Sequence, residues 1–371
     1  MMKPLYINGK FLAQRTTGVQ RFAHGVVSAL DRRLQAQQAD REVILLAPPN
    51  SAQLEDLRAI RQHQVGWENC SPTVWEQIVL PWSARGGTLL CLSGSAPFFA
   101  RQCIPTIHDA AVFLHPQAYS RSFVAWYRLL FRHLALSAPV ILTVSRSSAA
   151  DLSAYLPNAT FRVVSNSAEH ITSVVPDSSI LQALRLNAGG YLLAVGSLNP
   201  TKNFVKLVNA YAKSMLSSRI PLVIVGAVNA DVFRGGESIF DHANVRWAGR
   251  VSDAQLRALY EHAATFVFPS VYEGFGIPPL EAMHCGCPVI ASSASSVPEV
   301  CGDAASYIDP MDGEAMMATV ETLLTDDSRR QELIKKGYLR SQAFSWDRSA
   351  ESLLSVLGIC ERPDVVELEA T

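Results

Sequence analysis

The chain has 371 residues, of which 49% are hydrophobic and 18% charged, and its net charge is −1. That composition supplies substantial apolar cores and excludes a disordered chain, and the lack of a basic excess argues against a nucleic-acid partner. The length suits two domains of ordinary size better than one.

Met1 to Lys10 lacks the apolar core of a secretory signal, and no run reaches the roughly 18–20 apolar residues that cross a bilayer. A soluble, cytoplasmic protein is expected, touching a membrane only from its surface. The seven cysteines (Cys70, Cys91, Cys103, Cys285, Cys287, Cys301 and Cys360) form no C-x-x-C pair. Cys285 and Cys287 have no partner pair at zinc spacing, so reduced, buried thiols and no metal site are expected.

Short apolar runs then alternate with helical patterns. Strands are expected at Val43–Leu46, Thr88–Cys91, Ile141–Val144 and Phe161–Val164. A second series follows at Tyr191–Val195, Leu222–Val225, Val245–Ala248, Phe266–Phe268 and Pro288–Ala291. Continuous apolar runs of this length fit strands covered on both faces, and helical patterns such as Asn203–Leu216 and Asp253–Ala263 separate them. The fold class is therefore α/β, with parallel, doubly wound sheets. Alternation breaks between Ser167 and Gly190, where a linker is expected. The division is residues 1–170, then 171–345, then a last helical segment, 346–371, beginning near Trp346.

The most informative stretch is Pro269 to Met283. Gly274 and Gly276 permit a tight loop that can approach a ligand, and Pro278 and Pro279 suit the first turn of a helix. The free N–H groups of that helix start favour an anion such as a phosphate. Glu273 and Glu281 bracket the turn. A carboxylate beside an anion site serves sugar hydroxyls, such as a ribose diol, better than it serves phosphate. Two solvated glutamates on a capped helix is the bland alternative.

A second element, Gly196 to Phe204, follows one strand and precedes one helix. Lys202 there sits at the carboxyl edge of a parallel sheet, placed to neutralise a diphosphate; a solvated surface lysine is the competing reading. No Walker loop and no G-x-G-x-x-G after the first strand are present, which disfavours nicotinamide binding.

The string Glu273 to Glu281 resembles the E-x7-E signature of the family 4 retaining glycosyltransferases. Gly196 to Asn203 is similar to that family's phosphate loop, Val245 to Tyr260 to its nucleobase-side segment, and Pro298-Glu299-Val300 to a later segment. In the first half Thr17 to Arg21 resembles the first glycine-containing loop. Ile107-His108-Asp109 and Val144 to Ser148 resemble segments of mannosyltransferases. The resemblance implies a GT-B fold: two Rossmann-like domains facing a cleft, with the last helix crossing back to the first.

It also implies roles. Lys202 would hold the donor diphosphate and Glu281 the ribose diol. Glu273, with the backbone from Gly274 through Phe275 to Gly276, would meet the transferred sugar and phosphates, and Ile277 would lie on the donor side. Gly18 would admit the diphosphate, His108 would bond the sugar, and Arg250 and Val251 would lie on the nucleobase side. A structural histidine is the alternative for His108. Ser197 stands where relatives often carry an arginine, so the phosphate charge is expected to lean on Lys202, on helix N-termini, or on another cation such as Arg21 or Arg250. The implied activity is metal-independent hexosyl transfer with retention, extending a glycan or a lipid-linked saccharide in bacterial polysaccharide biosynthesis, with GDP-mannose as first choice of donor and no cofactor. A GT-B sugar-nucleotide epimerase, a phosphorylase and a non-catalytic binding subunit are the alternatives.

The span Arg121 to His133 is helical in period, basic and aromatic. It is expected either to touch an anionic membrane from the cytoplasmic face or to pack in the core with a solvated basic edge.

Overall fold

The computed structural model describes residues 3–37, 41–226 and 242–358; Cys360 and the end of the 346–371 segment lie outside them. Thirteen named strands make up its sheets among the described residues. In the first half these are β1 (Leu5–Asn8), β2 (Val43–Ala47), β3 (Arg61–Gln64), β4 (Thr88–Cys91), β5 (Cys103–Pro105), β6 (Ile141–Thr143) and β7 (Phe161–Val163). The second half adds β8 (Leu192–Val195), β9 (Leu222–Val225), β10 (Val245–Gly249), β11 (Thr265–Phe268), β12 (Val289–Ser292) and β13 (Ala305–Ile308). The longer helices that matter below are α1 (Gly18–Gln37), α2 (Arg121–Ser137), α3 (Arg146–Tyr155), α4 (Phe204–Lys213), α5 (Asp253–His262), α6 (Ile277–His284) and α7 (Trp346–Val356).

The first sheet runs β3-β2-β1-β4-β5, and a parallel bridge from Thr106 to Leu142 carries the order on to the β6-β7 pair. The second runs β10-β9-β8-β11-β12-β13, and its pairings are parallel. In each sheet the chain winds outward from a central strand and then returns to that strand's other side. The reversal falls between β1 and β4, and between β8 and β11. Loops that leave the carboxyl ends at such a reversal diverge, one to each face of the sheet, and open a ligand crevice. The segments Gly196–Lys202 and Pro269–Gly276 leave β8 and β11, so both edge the second crevice.

Burial follows the pattern read from the sequence: β2, β8, β9, β11 and β12 are buried throughout. Four strands escape the sequence patterns. β1 is short and ends in Asn8, β5 and β13 are interrupted by Pro105 and by Ser306-Tyr307, and β3 is a polar, largely exposed edge strand. The expected helix Asn203–Leu216 is α4 followed by a separate 3-10 turn, Met215–Ser218.

The last helix crosses back, as the GT-B resemblance implies. α7 packs on α1, and a β-carbon on Gly25 would lie 2.3 Å from the Trp346 ring. The Trp346 N–H donates to Glu169 Oε2 at 2.8 Å and Ser349 Oγ donates to the Ser165 carbonyl at 2.6 Å, which fixes the crossing point.

Candidate active site

Lys202 closes a 3-10 turn that Asn199 caps through its side chain. Asn203 follows at φ 60°, and its amide donates to the Pro269 and Pro310 carbonyls at 3.1 and 2.7 Å. That clasp ties the β8 loop to the β11 loop. Lys202 Nζ then reaches both oxygens of Glu273, at 2.6 and 2.7 Å, with both side chains mostly buried. The Glu273 loop is pinned in turn by Ser296, whose hydroxyl donates to the carbonyls of Glu273 and Phe275 at 2.9 and 3.0 Å. Gly276 sits at φ 101° and opens α6 without a side-chain cap; Pro278 and Pro279 carry no N–H, so the donors at this helix start are the backbone N–H groups of Gly276 and Ile277.

Glu281 lies on α6 and is 4% exposed. His170 Nε2 lies 2.9 Å from one of its oxygens, and the Tyr260 hydroxyl donates to the other at 2.9 Å. Burial alone would raise this carboxyl; the His170 hydrogen bond, the nearby Arg21 and the Tyr260 hydrogen bond together hold it below its ordinary value. Each carboxylate oxygen keeps a second lone pair for a further donor.

The first half supplies the opposite wall. His108 Nε2 lies 3.0 Å from the Leu92 carbonyl, and burial lowers its pKa to about 4. At neutral pH the ring is thus uncharged: Nε2–H donates to that carbonyl, and Nδ1 is left as an acceptor. Gly274 packs directly on this segment. A β-carbon there would fall 2.6 Å from the His108 carbonyl oxygen and 3.0 Å from Asp109 Cβ. Gly274 therefore serves closeness between the two halves, and its own carbonyl accepts from Ser145 at 2.6 Å and Ser148 at 2.9 Å. Gly18, at the start of α1, similarly faces Ile277, its β-carbon position lying 3.4 Å from Ile277 Cδ1.

Two ties across the cleft were not foreseen. Arg21 on α1 grips Asp253 at the start of α5 through both guanidinium nitrogens. Glu299 accepts from the backbone N–H groups of Arg146 and Ser147, both at 2.8 Å, and so caps α3. The sequence showed Arg21, Ser145, Ser148 and Glu299 inside motif-like segments, but nothing in the spacing gave their partners.

Lys202, Glu273, Gly274, Gly276 and His108 are thus brought together, with Gly18 and Ile277 beside them. The Phe275 ring is buried, edge-on to Phe344 at 5.4 Å, which leaves its backbone to the loop, the part of Phe275 that the resemblance calls on. Ser197 and Arg250 are exposed, and Val251 is packed partly against the core. Arg21, offered as a spare cation, is spent on Asp253. Arg128, expected on a free basic face, turns inward and donates to the Val112 and Phe113 carbonyls at 2.9 and 3.2 Å.

Residues 182–340 match the family model described as "Glycosyl transferases group 1". The chain is 33% identical over 267 residues to the O-antigen chain mannosyltransferase B of Escherichia coli, and the match covers 68% of each chain. The chain belongs to the group 1 glycosyl transferases. This glycosyltransferase is also 31% identical over 226 residues to the serotype-specific mannosyltransferase WbdA of Escherichia coli, a match that takes in 57% of its own length and only 28% of that longer protein. Its fold is that of a sucrose-phosphate synthase from Thermosynechococcus elongatus, with a TM-score of 0.72 at 19% identity over 96% and 98% of the two chains.

Proposed function

We propose that this glycosyltransferase moves a mannosyl unit from GDP-mannose to a growing, lipid-linked saccharide in bacterial polysaccharide biosynthesis, with retention of configuration. One observation carries the reading: Lys202, Glu273, the free start of α6 and the Nδ1 acceptor of His108 meet between the second crevice and the first half. A diphosphate-linked sugar needs that set, a cation and amides for phosphate and acceptors for hydroxyls. The choice of mannose rests on the mannosyltransferases the chain resembles.

In this reading Lys202 and the backbone N–H groups of Gly276 and Ile277 take the diphosphate, and Glu281 accepts a ribose hydroxyl on its spare lone pairs. A sugar hydroxyl donates to His108 Nδ1. The bond from the sugar C1 to the β-phosphate oxygen breaks as the acceptor oxygen bonds C1 on the same face. The acceptor proton passes to the departing phosphate oxygen. Lys202 and the amides, fixed before reaction, stabilise the charge that grows on that oxygen. No metal is called on. An acceptor carried on a lipid sets the enzyme at the inner face of the cytoplasmic membrane, against the α2 span.

The test is a thermal-shift panel of nucleoside diphosphates and their sugars, followed by transfer assays with the compound that binds. A ligand that binds only the native state raises its melting temperature. GDP-mannose should give the largest shift, and Lys202→Ala should abolish it. A shift with another nucleotide sugar alone would refute the donor, and a shift without turnover on any acceptor would favour a binding subunit.

A further inference from the structure

The buried face of α2 packs Val124, Leu130, Phe131 and Leu134 into the first half. Its opposite face is apolar as well. Trp126, Leu129 and Leu136 recur there at helical spacing and stay exposed, Leu136 at 75%. The patch is continued by neighbours. Phe98 stacks on His133 of α2 at 3.9 Å, and its N–H donates to Gln77 at 2.9 Å. That contact brings in Phe99, 81% exposed, and the helical segment that carries Ile78 and Trp82, 61% and 67% exposed. Side chains this apolar are rarely left open together on a soluble surface without a partner.

The charge around the patch says which partner. From Gln77 to Ala150 the chain holds six arginines and one carboxylate, Asp109, although its overall charge is −1; Arg128 turns inward and Arg146 lies 3.6 Å from Glu299, which leaves Arg85, Arg101, Arg121 and Arg132 exposed. Asp109 is turned to the cleft, where its Oδ1 accepts from the Ala111 N–H at 2.8 Å. Arg85 lies over the Trp82 ring at 3.5 Å. Beyond Leu136, a cavity of about 680 Å³ is lined by Lys3, Arg41 and Arg101, with no acidic side chain among its described lining residues. Apolar side chains ringed by cations match a bilayer that carries anionic headgroups. A protein partner of ordinary composition would not call for so one-sided a charge.

We infer that this face, α2 with the Ile78–Trp82 segment and Phe99, docks the enzyme on an anionic phospholipid surface. The α2 stripe also begins at the cleft mouth. Tyr119 stacks on Phe123 at 5.2 Å, and its hydroxyl lies near Asn199 of the second half. A lipid-linked saccharide lying along the docked face therefore has its sugar end at the site. The inference deepens the lipid-linked acceptor reading and rests on it only for that last point.

The experiment is co-sedimentation of the full chain with phosphatidylcholine vesicles, with and without phosphatidylglycerol, at low and high salt. The expected result is strong binding to the anionic vesicles at low salt, weaker at high salt, and little binding to neutral ones. Replacing Arg85, Arg101 and Arg132 with Gln should weaken anionic binding about a hundredfold, since each cation near such a surface contributes about fivefold. Trp82→Ser with Phe99→Ser and Leu129→Ser should weaken it more than tenfold at either salt. Both variants should keep the wild-type donor-induced thermal shift, which separates this surface from the donor reading: loss of that shift in the wild-type chain sinks only the latter. No binding of the wild-type chain to anionic vesicles at low salt overturns the inference. So does unchanged binding in both variants, or a concentration-dependent dimer, without vesicles, that the serine variant abolishes.

Discussion

Replacing Gly274 with alanine tests the geometry of the site directly. Gly274 is not a glycine for reasons of backbone angle; it lacks a side chain because the His108 carbonyl oxygen stands where one would go, 2.6 Å from the β-carbon position. An ordinary carbon-to-oxygen contact is about 3.3 Å, so the loop and the His108 segment must part by about 0.7 Å. Both obstacles are close to the main chain, Asp109 Cβ being 3.0 Å away, so no flexible side chain can swing aside. Overpacking of this kind costs about 1–3 kcal/mol of stability. The catalytic cost is of similar size, because a misplacement approaching 1 Å removes about 10–100-fold in rate. The expected outcome is a kcat/KM lower by that factor, measured with saturating acceptor, together with a modest fall in melting temperature. Gly276→Ala is the control: no atom lies nearer than 4.0 Å, but φ is 101°, so it strains the backbone for about 1–2 kcal/mol without forcing the two halves apart. If Gly274→Ala keeps wild-type kcat/KM, or loses no more than Gly276→Ala, the halves do not meet at this point during the reaction and the reasoning fails.

Glu273→Gln should release Lys202 from its carboxylate partner, so nucleoside diphosphate binding tightens, by calorimetry, while kcat falls; weaker binding would contradict the pairing described above. His108 has its pKa lowered to about 4 by burial, against about 6.5 when unfolded. The unfolded chain therefore binds the extra proton between those values, and stability is lost as pH falls from 6.5 to 4, by about 3 kcal/mol in total. Denaturant titrations of His108→Gln should lack that share of the loss. For Arg21 and Asp253, a double-mutant cycle to alanine should return a coupling of about 1 kcal/mol, since the side chains are partly solvated. A coupling near zero would mean the tie does not hold the two halves together.

The strands that carried the site were legible because buried parallel strands are written as continuous apolar runs, and β8 and β11 have no other reading. Lys202 and Glu273 could be placed at one sheet edge for the same reason, since each follows such a run. Their direct pairing could not, because which loop residue turns toward which is set by clasps such as Asn203 on Pro269 and Pro310, and these carry no periodic signal. Arg128 looked free on a helical wheel, but a wheel does not show that the Val112 and Phe113 carbonyls at the end of a neighbouring short helix need donors. His170 on Glu281 joins residues far apart in sequence, and nothing short of the fold brings them together.

Every charged group the donor would use already has a protein partner. Lys202 is held by Glu273, and Glu281 by His170 and Tyr260. These groups are mostly buried, where an unpaired charge costs several kcal/mol, so without a donor the protein must satisfy them itself. A diphosphate arriving at Lys202 then exchanges one anionic partner for another instead of desolvating a bare ammonium, and the net gain comes from its second charge and from the Gly276 and Ile277 amides. Selectivity for a ligand carrying both phosphates follows from that exchange, because a single phosphate would replace Glu273 without improving on it. The absence of a second cation at Ser197 sharpens the same requirement, since the helix start is then the remaining donor set at the loop. Binding affinity should therefore fall much more steeply from diphosphate to monophosphate than one lost ionic contact on an open surface would cause.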